Sequence, residues 1–281
     1  MKNSEKEFYP AALTIAGSDS GGGAGIQADL RTFSAYGVFG CSAITAVTAQ
    51  NPCRVNRIDA IPAEGVSMQV NTVLDKIDIR FAKTGMLLNA EIINAVAETL
   101  ESRKINLVID PVMVSTSGSR LLEQEAVEAL NNRLLPLADW VTPNIPEAEI
   151  LTGMSIADRD EAIRAAGVIA EKWHCSVIIK AGHFDEKSDV AADIVINNGK
   201  IYELSSPRMT GTLASHGTGC TLSAAIAAGF ALGLPWRKVL RMAKGFVFGS
   251  LNESVEIGHE IEAMYPPQES YQGKTLLSRI D

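Results

Sequence analysis

The sequence predicts an α/β fold, a single doubly wound domain whose mainly parallel central sheet is flanked by helices. Short apolar runs alternate along the chain with longer amphipathic stretches, which is the pattern of successive βαβ units. The length of 281 residues, with 46% hydrophobic and 21% charged residues, suits a globular protein with a large core. No repeat, low-complexity tract or clear linker interrupts the alternation. We therefore expect one domain over residues 1–281, with terminal segments at 1–10 and 266–281.

The individual elements follow from local patterns. The apolar runs predict strands at residues 11–16, 41–49, 55–61, 79–84, 106–110, 140–142, 176–180, 193–196 and 200–204. The amphipathic stretches predict helices at residues 26–36, 62–75, 89–103, 121–134, 158–173 and 235–252, and one more after a turn at 217–219. Asn89 is expected to cap its helix, and 55–61 to be an edge strand. The sequence Asn197-Asn198-Gly199 predicts a hairpin turn.

Charge and composition argue against several function classes. The net charge is −8 and no long basic run is present, so nucleic acid is not an expected partner. Residues 217–236 carry no charge and form a stretch long enough to span a bilayer. They are mostly Ala, Gly, Ser and Thr, a composition that suits a helix packed on a sheet, so no membrane span is expected. The first seven residues are polar, and no two of the four cysteines form a CxxC pair. A reducing cytoplasm is therefore the expected location, without zinc or a disulfide framework.

The turn at residues 216–221 is the most informative motif. Two glycines, Gly217 and Gly219, flank Thr218, and Cys220 and an alanine-rich run follow. Glycines at a helix start leave backbone N–H groups open to an anion, with the helix dipole favouring negative charge. The same position favours the thiolate form of Cys220. The alternative is a tight turn that only precedes a buried helix.

A second glycine-rich stretch lies at residues 17–25, before the first predicted helix. Residues 23–28 match the dinucleotide pattern GxGxxA, but the glycines come several residues after the strand. No acidic residue lies between Asp29 and Asp59 to bind a ribose. We therefore interpret the stretch as a flexible wall near a small ligand.

Polar or soft side chains follow most of the predicted parallel strands. The amide of Gln50 offers a donor beside an acceptor, as an aminopyrimidine edge requires; the alternative is a turn residue bonded to local backbone. Met86 could contact a substrate ring through its polarisable sulfur, or it could be a core residue. Asp110 is a candidate for a magnesium ligand or a base, and the alternative is a cap of the turn. Lys180 stands close to a glycine, where it can reach a phosphate. Since the carboxyl ends of parallel strands share one edge, we expect one rim to hold Asp29, Gln50, Met86, Asp110, Asn144, Lys180 and Cys220.

Asn144 and Glu147 stand three residues apart at a predicted helix start, with Pro146 near the first helical position. Two oxygen-bearing side chains there suit a hydrated magnesium ion beside phosphates. The same spacing is that of a capping box, and spacing alone favours this second interpretation.

Taken in order, these motifs resemble those of the ribokinase-like kinases, and within them the hydroxymethylpyrimidine/phosphomethylpyrimidine kinases of thiamin biosynthesis. The resemblance is carried by residues 11–19, 22–30, 45–51, 84–87, 110–113, 142–144 with Glu147, Lys180 with Gly182 and His183, and 216–221. It extends from residue 11 to beyond residue 221 and covers nearly the whole chain.

The resemblance implies roles for the matching residues. It implies pyrimidine contacts for Gly17, Asp29, Gln50, Met86 and Val112. It implies ATP and magnesium contacts for Asn144, Glu147 and Lys180, and an anion hole for Gly217, Thr218 and Gly219. Asp110 remains a second candidate magnesium ligand because of its place at a strand end. Most ribokinase-like enzymes have an aspartate base where Cys220 stands, whereas the pyrimidine kinases have this cysteine. Because phosphoryl transfer has a loose transition state, Cys220 is expected either to orient the hydroxyl group or to accept its proton late.

The sequence therefore predicts a kinase that uses ATP and Mg²⁺. The expected substrates are 4-amino-5-hydroxymethyl-2-methylpyrimidine and its monophosphate, and a homodimer is expected. The nearest alternative is a pyridoxal kinase, or a kinase acting on both. A non-catalytic ligand sensor and an NAD oxidoreductase are alternatives from other classes; the missing ribose acid disfavours the second.

Overall fold

The computed structural model describes residues 9–113, 122–182, 188–211, 214 and 216–281. The strands are β1 Ala11–Asp19, β2 Phe39–Asn51, β3 Arg54–Ala60, β4 Phe81–Thr84, β5 Asn106–Ile109, β6 Trp140–Val141, β7 Ser176–Ile179, β8 Val190–Asn197, β9 Lys200–Pro207, β10 Val255–Gly258, β11 Ile261–Ala263 and β12 Leu276–Arg279. The α-helices are α1 Gly25–Ala35, α2 Ala63–Leu74, α3 Ala90–Glu101, α4 Gln124–Ala129, α5 Ile145–Thr152, α6 Arg159–Trp173, α7 Thr218–Ala231 and α8 Trp236–Asn252.

Ten of the strands form one sheet in the order β12-β9-β8-β7-β6-β5-β4-β1-β2-β3. The strands from β7 to β2 in this order pair in parallel, while β3 at one edge and β8, β9 and β12 at the other pair antiparallel. The predicted mainly parallel sheet and the predicted edge strand are confirmed. The sequences of the parallel strands are continuous apolar runs because helices cover both faces of these strands.

The core has two layers, one on each face of the sheet. Helices α2 to α6 pack on one face, and α1, α7 and α8 pack on the other. Leu13 and Ile15 of β1 point into the first layer while Ala12 points into the second, as the two-residue period of a strand requires. The predicted doubly wound architecture is therefore confirmed.

Helix α7 shows why its sequence is uncharged and rich in small residues. It lies between the sheet and α8, and nine consecutive residues from Thr221 to Gly229 are buried. A Cβ on Gly229 would lie 3.0 Å from a methyl group of Val239, so the two helices approach closely only because this residue is glycine. Within the described parts of the chain, no helix is both long and apolar enough to cross a membrane.

Several segments differ from the prediction, and β8 and β9 are longer than the predicted 193–196 and 200–204. β1 continues to Asp19, past the predicted end at 16, because Ser18 and Asp19 still pair with β2 after a register shift. The predicted helix at 121–134 becomes the short α4, a π-helical turn at Leu130–Leu134 and a 3₁₀ turn at Leu135–Leu137 that contains a proline. The C-terminal tail adds β12 to the sheet edge beside β9. Leu121, at the predicted helix start, and His183 of the lysine motif lie outside the described residues.

Candidate active site

The carboxyl ends of β5, β6 and β7 bring three of the predicted residues together. Asp110 follows β5, and an isolated bridge pairs the backbones of Asn144, after β6, and Lys180, after β7. The Lys180 ammonium nitrogen lies 2.9 Å from Asp110 Oδ1 and 3.9 Å from Glu147 Oε2. Two carboxylates thus share one ammonium group, and one negative charge is in excess when both are ionised.

Glu147 takes part in both arrangements considered from the sequence. The capping box is formed, because the Asn144 side chain accepts from the Glu147 N–H at 2.9 Å and Glu147 Oε2 accepts from the Asn144 N–H at 2.8 Å. The same carboxylate is buried and faces Lys180. Burial, together with the negative charge of Asp110, raises the pKa of Glu147 to about 7, although Lys180 and two backbone N–H groups act in the opposite direction.

The start of α7 faces this charged cluster. A Cβ on Gly219 would lie 3.2 Å from the Lys180 ammonium nitrogen and 3.5 Å from Asp110 Oδ2. No side chain among the described residues caps α7. The first hydrogen bond of this helix runs from the Thr221 N–H to the Gly217 carbonyl, so the N–H groups of Gly219 and Cys220 come before that bond in the chain. Gly217 has φ +86°, and a Cβ there would overlap the carbonyl oxygen of Gly23. The turn is therefore adjacent to the glycine-rich segment on one side and to Lys180 on the other.

Cys220 is the third residue of α7, but the expectation of a favoured thiolate is wrong. Burial raises the pKa of its thiol to about 11, and the charges of Asp29 and Asp110 act in the same direction. Lys83 and the Gly25 N–H lower this pKa without compensating for burial. The group is therefore a neutral thiol at neutral pH.

Asp29 does not lie on the rim where the sequence placed it. Its carboxylate is fully buried on α1, where it accepts from Thr14 Oγ1 at 2.6 Å and from the Lys83 ammonium at 2.8 Å. Lys83 lies in the middle of β4 and is also fully buried. A Cβ on Gly85 would lie 2.8 Å from its nitrogen, so the ion pair lies directly beneath the turn that leads to Met86.

Lys83 is a functional candidate that the sequence reasoning missed. A signal was present, since a lysine within a buried strand requires a charged partner. The identity of that partner, Asp29, could not be found from spacing because the two residues belong to different elements 54 positions apart.

The other four predicted pyrimidine contacts lie at neighbouring strand ends. Gly17 of β1 approaches the methyl group of Met86, which follows β4, so closely that a Cβ on Gly17 would overlap it. Gln50 lies near the end of β2, and its amide nitrogen is 3.3 Å from Nε2 of His216. Val112 follows β5 and donates its N–H to the Asp110 carbonyl at 2.9 Å. Because β5, β4, β1 and β2 are adjacent in the sheet, these residues share the edge occupied by the charged cluster.

The donor set of the cluster fits a magnesium ion shared with phosphates. Mg²⁺ retains water and usually takes one or two carboxylates plus substrate phosphates, and Asp110 and Glu147 provide two carboxylates with negative charge in excess. Within the described ranges, no group of three or more His, Cys, Asp or Glu side chains could form an all-protein metal site. Binding of the metal would thus depend on the nucleotide.

The known proteins to which this chain is similar are kinases. The phosphomethylpyrimidine kinase family model matches residues 19–265. The hydroxymethylpyrimidine/phosphomethylpyrimidine kinase of Haemophilus influenzae is 47% identical over 249 residues, which cover 88% of this chain and 92% of that protein. Pyridoxal kinase from Staphylococcus aureus, solved in complex with ADP, has a TM-score of 0.87 at 31% identity and covers 98% of this chain and 100% of its own. Phosphomethylpyrimidine kinase from Clostridium difficile has a TM-score of 0.75 at 40% identity, covering 85% and 97%.

These findings, with relatives that are named as bifunctional thiamine biosynthesis proteins, confirm the predicted ribokinase-like fold, the predicted phosphotransferase function in thiamin biosynthesis and the use of ATP. They also argue against the ligand sensor and the NAD oxidoreductase. The match covers most of the chain and includes the turn before α7. The chain therefore belongs to the phosphomethylpyrimidine kinase family.

Proposed function

We propose that this protein phosphorylates the hydroxymethyl oxygen of 4-amino-5-hydroxymethyl-2-methylpyrimidine with ATP, and then converts the monophosphate to the diphosphate. One observation carries the proposal. The side-chain amide of Gln50 lies 3.3 Å from Nε2 of His216, the residue immediately before the turn at the start of α7. A group suited to a pyrimidine edge therefore lies beside a turn suited to a phosphoryl anion.

Phosphoryl transfer depends mainly on positioning and charge neutralisation. The Lys180 ammonium and the amides at the start of α7 would stabilise the charge on the transferred group. Asp110 and Glu147 would hold a magnesium ion that also takes water and phosphate oxygens as ligands. This ion would neutralise further phosphate charge. The hydroxymethyl oxygen bonds to the γ-phosphorus as the bond from that phosphorus to the ADP oxygen breaks.

The thiol of Cys220 orients the acceptor rather than acting as a strong base. With a pKa of about 11 it is protonated at neutral pH, so it has little capacity to remove a proton. Its sulfur can accept a hydrogen bond from the hydroxyl group and direct the oxygen toward phosphorus. The hydroxyl proton passes late to a phosphoryl oxygen, as a loose transition state allows.

The direct test supplies ATP, MgCl₂ and the pyrimidine alcohol and follows both phosphates by mass spectrometry. Formation of the monophosphate and then the diphosphate is expected, and absence of both would overturn the substrate assignment. Gln50→Ala should lower kcat/KM by roughly 10- to 200-fold, since a hydrogen-bonding group facing the ring is lost. Gln268→Ala, at an exposed glutamine outside the site, is the matched control and should leave kcat/KM unchanged.

Pyridoxal is the second candidate substrate, because pyridoxal kinase from Staphylococcus aureus superposes with a TM-score of 0.87. Gln50 distinguishes the two, since its side-by-side donor and acceptor match the aminopyrimidine edge. Gln50→Ala should therefore affect the pyrimidine much more than pyridoxal. Equal losses for both substrates would argue that Gln50 does not recognise the pyrimidine edge.

We also propose a homodimer located in the cytoplasm. The β2–β3 edge of the sheet exposes apolar side chains at Val47, Val55 and Ile58, which are 44%, 48% and 39% exposed. An apolar edge of this kind favours association between copies. Light scattering coupled to gel filtration should give twice the chain mass of 30.0 kDa. A monomer at micromolar concentration would refute the dimer.

A further inference from the structure

Asp19 and His216 form a pair beside Gln50 to which no role has yet been given. His216 Nε2 lies 3.1 Å from Asp19 Oδ2 and 3.3 Å from the nitrogen of the Gln50 amide. Asp19 is nearly buried at the end of β1 and His216 is about one quarter exposed. A Cβ on Gly23 would lie 2.6 Å from the His216 ring, so the ring packs directly against the glycine-rich segment.

The hydrogen-bond requirements of Asp19 determine which atom of His216 carries a proton. Asp19 accepts from the Gly21 N–H at 2.8 Å and the Ala24 N–H at 2.9 Å. Burial alone would raise the pKa of Asp19, but the bonds from His216 and from these two amides lower it, so the carboxylate is ionised and can only accept. His216 must therefore donate to it from Nε2–H. A nitrogen that donates to Asp19 cannot also accept a hydrogen from Gln50.

Thr48, on the other side of the Gln50 amide, leads to the same requirement. Its hydroxyl donates to the Ser18 carbonyl at 2.9 Å, and a carbonyl can only accept. A hydroxyl group has one hydrogen, so Thr48 cannot also donate to the Gln50 oxygen 3.2 Å away and must accept instead. His216 Nε2 also carries only one hydrogen, but Asp19 and a Gln50 oxygen can share it, whereas a Gln50 nitrogen at that place would set two N–H groups face to face. A half-turn of the amide, which brings its oxygen toward His216 and its nitrogen toward Thr48, therefore suits both neighbours.

We propose that Asp19 and His216 act as positioning residues that set the orientation of the Gln50 amide, and through it the choice of ring substituent. With its oxygen toward His216, the amide accepts from an exocyclic amine on that side and donates to a ring nitrogen on the Thr48 side. A ring with a carbonyl in place of the amine reverses both requirements and leaves two polar groups unpaired. The pair thus selects a 4-amino over a 4-oxo pyrimidine. This inference rests on the proposed role of Gln50 as a substrate contact.

The test is the ratio of kcat/KM for the 4-amino substrate to that for its 4-oxo analogue. The wild-type ratio should exceed about 100-fold. His216→Ala should lower the ratio at least about tenfold, because only the Thr48 hydroxyl, which can turn away from the Ser18 carbonyl, then opposes rotation of the amide. His216→Gln, whose side-chain nitrogen can still donate to Asp19, should preserve most of the ratio. Circular dichroism and thermal melting would verify that each variant is folded.

The outcomes separate this inference from the proposed function. A ratio unchanged in His216→Ala, with equal losses for both substrates, would show a merely structural role and overturn the inference. If Gln50→Ala lowers the ratio while His216→Ala does not, Gln50 still contacts the ring but is oriented by something else, and only this inference fails. If Gln50→Ala itself leaves the ratio unchanged, the proposed substrate contact fails first.

Discussion

The buried ion pair beneath the site gives the sharpest test of how Cys220 is controlled. The Lys83 ammonium lies 2.8 Å from Asp29 Oδ2, and both side chains are fully buried. Lys83 lowers the pKa of the Cys220 thiol, whereas Asp29 raises it. Removing one charge at a time, with Lys83→Met and with Asp29→Asn, should therefore move the thiol pKa in opposite directions.

The expected size of the effect follows from linkage. One pKa unit is about 1.4 kcal/mol and a tenfold change in thiolate fraction at pH values below the pKa. A shift of half a unit to one unit would slow alkylation of Cys220 by iodoacetamide roughly 3- to 10-fold in Lys83→Met. Asp29→Asn should accelerate the same reaction by a similar factor, because Lys83 then acts on the sulfur without an adjacent anion.

The assay is alkylation at pH 9 followed by peptide mass spectrometry, which reports each cysteine separately. Cys53 is exposed and serves as the internal reference. Lys76→Met, at an exposed lysine, is the matched control and should change nothing. If the site merely loosened, Cys220 would react faster in both variants. That outcome, or an unchanged rate in both, would refute the electrostatic reasoning.

The same pair predicts a pattern of stability. Removing one partner of a buried ion pair costs roughly 3–5 kcal/mol, whereas replacing both partners by apolar residues is often neutral or stabilising. Lys83→Met should therefore lower the free energy of unfolding in urea by that amount, and Lys83→Met/Asp29→Leu should recover most of it. A double variant no more stable than the single variant would contradict the argument.

Three further predictions concern the phosphate side of the site. The pKa of Glu147 is raised to about 7, so its ionised form, which binds the metal, is lost as the pH falls through 7. The apparent Kd for Mg–ATP should therefore rise as the pH is lowered, by a factor that approaches ten per pH unit. Calorimetric titrations of Glu147→Gln should show no such dependence on pH. Gly219→Ala, whose Cβ would lie 3.2 Å from the Lys180 ammonium, should lower kcat with little change in KM for the pyrimidine, whereas Gly273→Ala, with open space around it, should change neither. Gly217→Ala introduces a side chain at φ +86° and should lower the melting temperature measurably; no change would argue against the close approach seen there.

Local chemistry is enough to predict most of the architecture from the sequence. The Asn198-Gly199 turn forms because both residues take positive φ, and Asn89 caps α3 by accepting from the Ile92 N–H at 2.9 Å. The meeting of Asp110 and Lys180 was also predictable, because parallel strands all end at one edge of a sheet. These features depend on residues close in sequence or on a general rule of topology.

Tertiary structure decided the features that depend on a distant partner. Asp29 has the position of a rim residue in sequence, but its carboxylate turns inward because Lys83, on another strand, requires a counter-ion. Cys220 stands at a helix start that favours a thiolate, yet burial between elements keeps it neutral. No local pattern indicates that His216 meets Asp19 across 197 positions. Periodicity reports the backbone's local preference, whereas pairing and desolvation depend on which elements pack together.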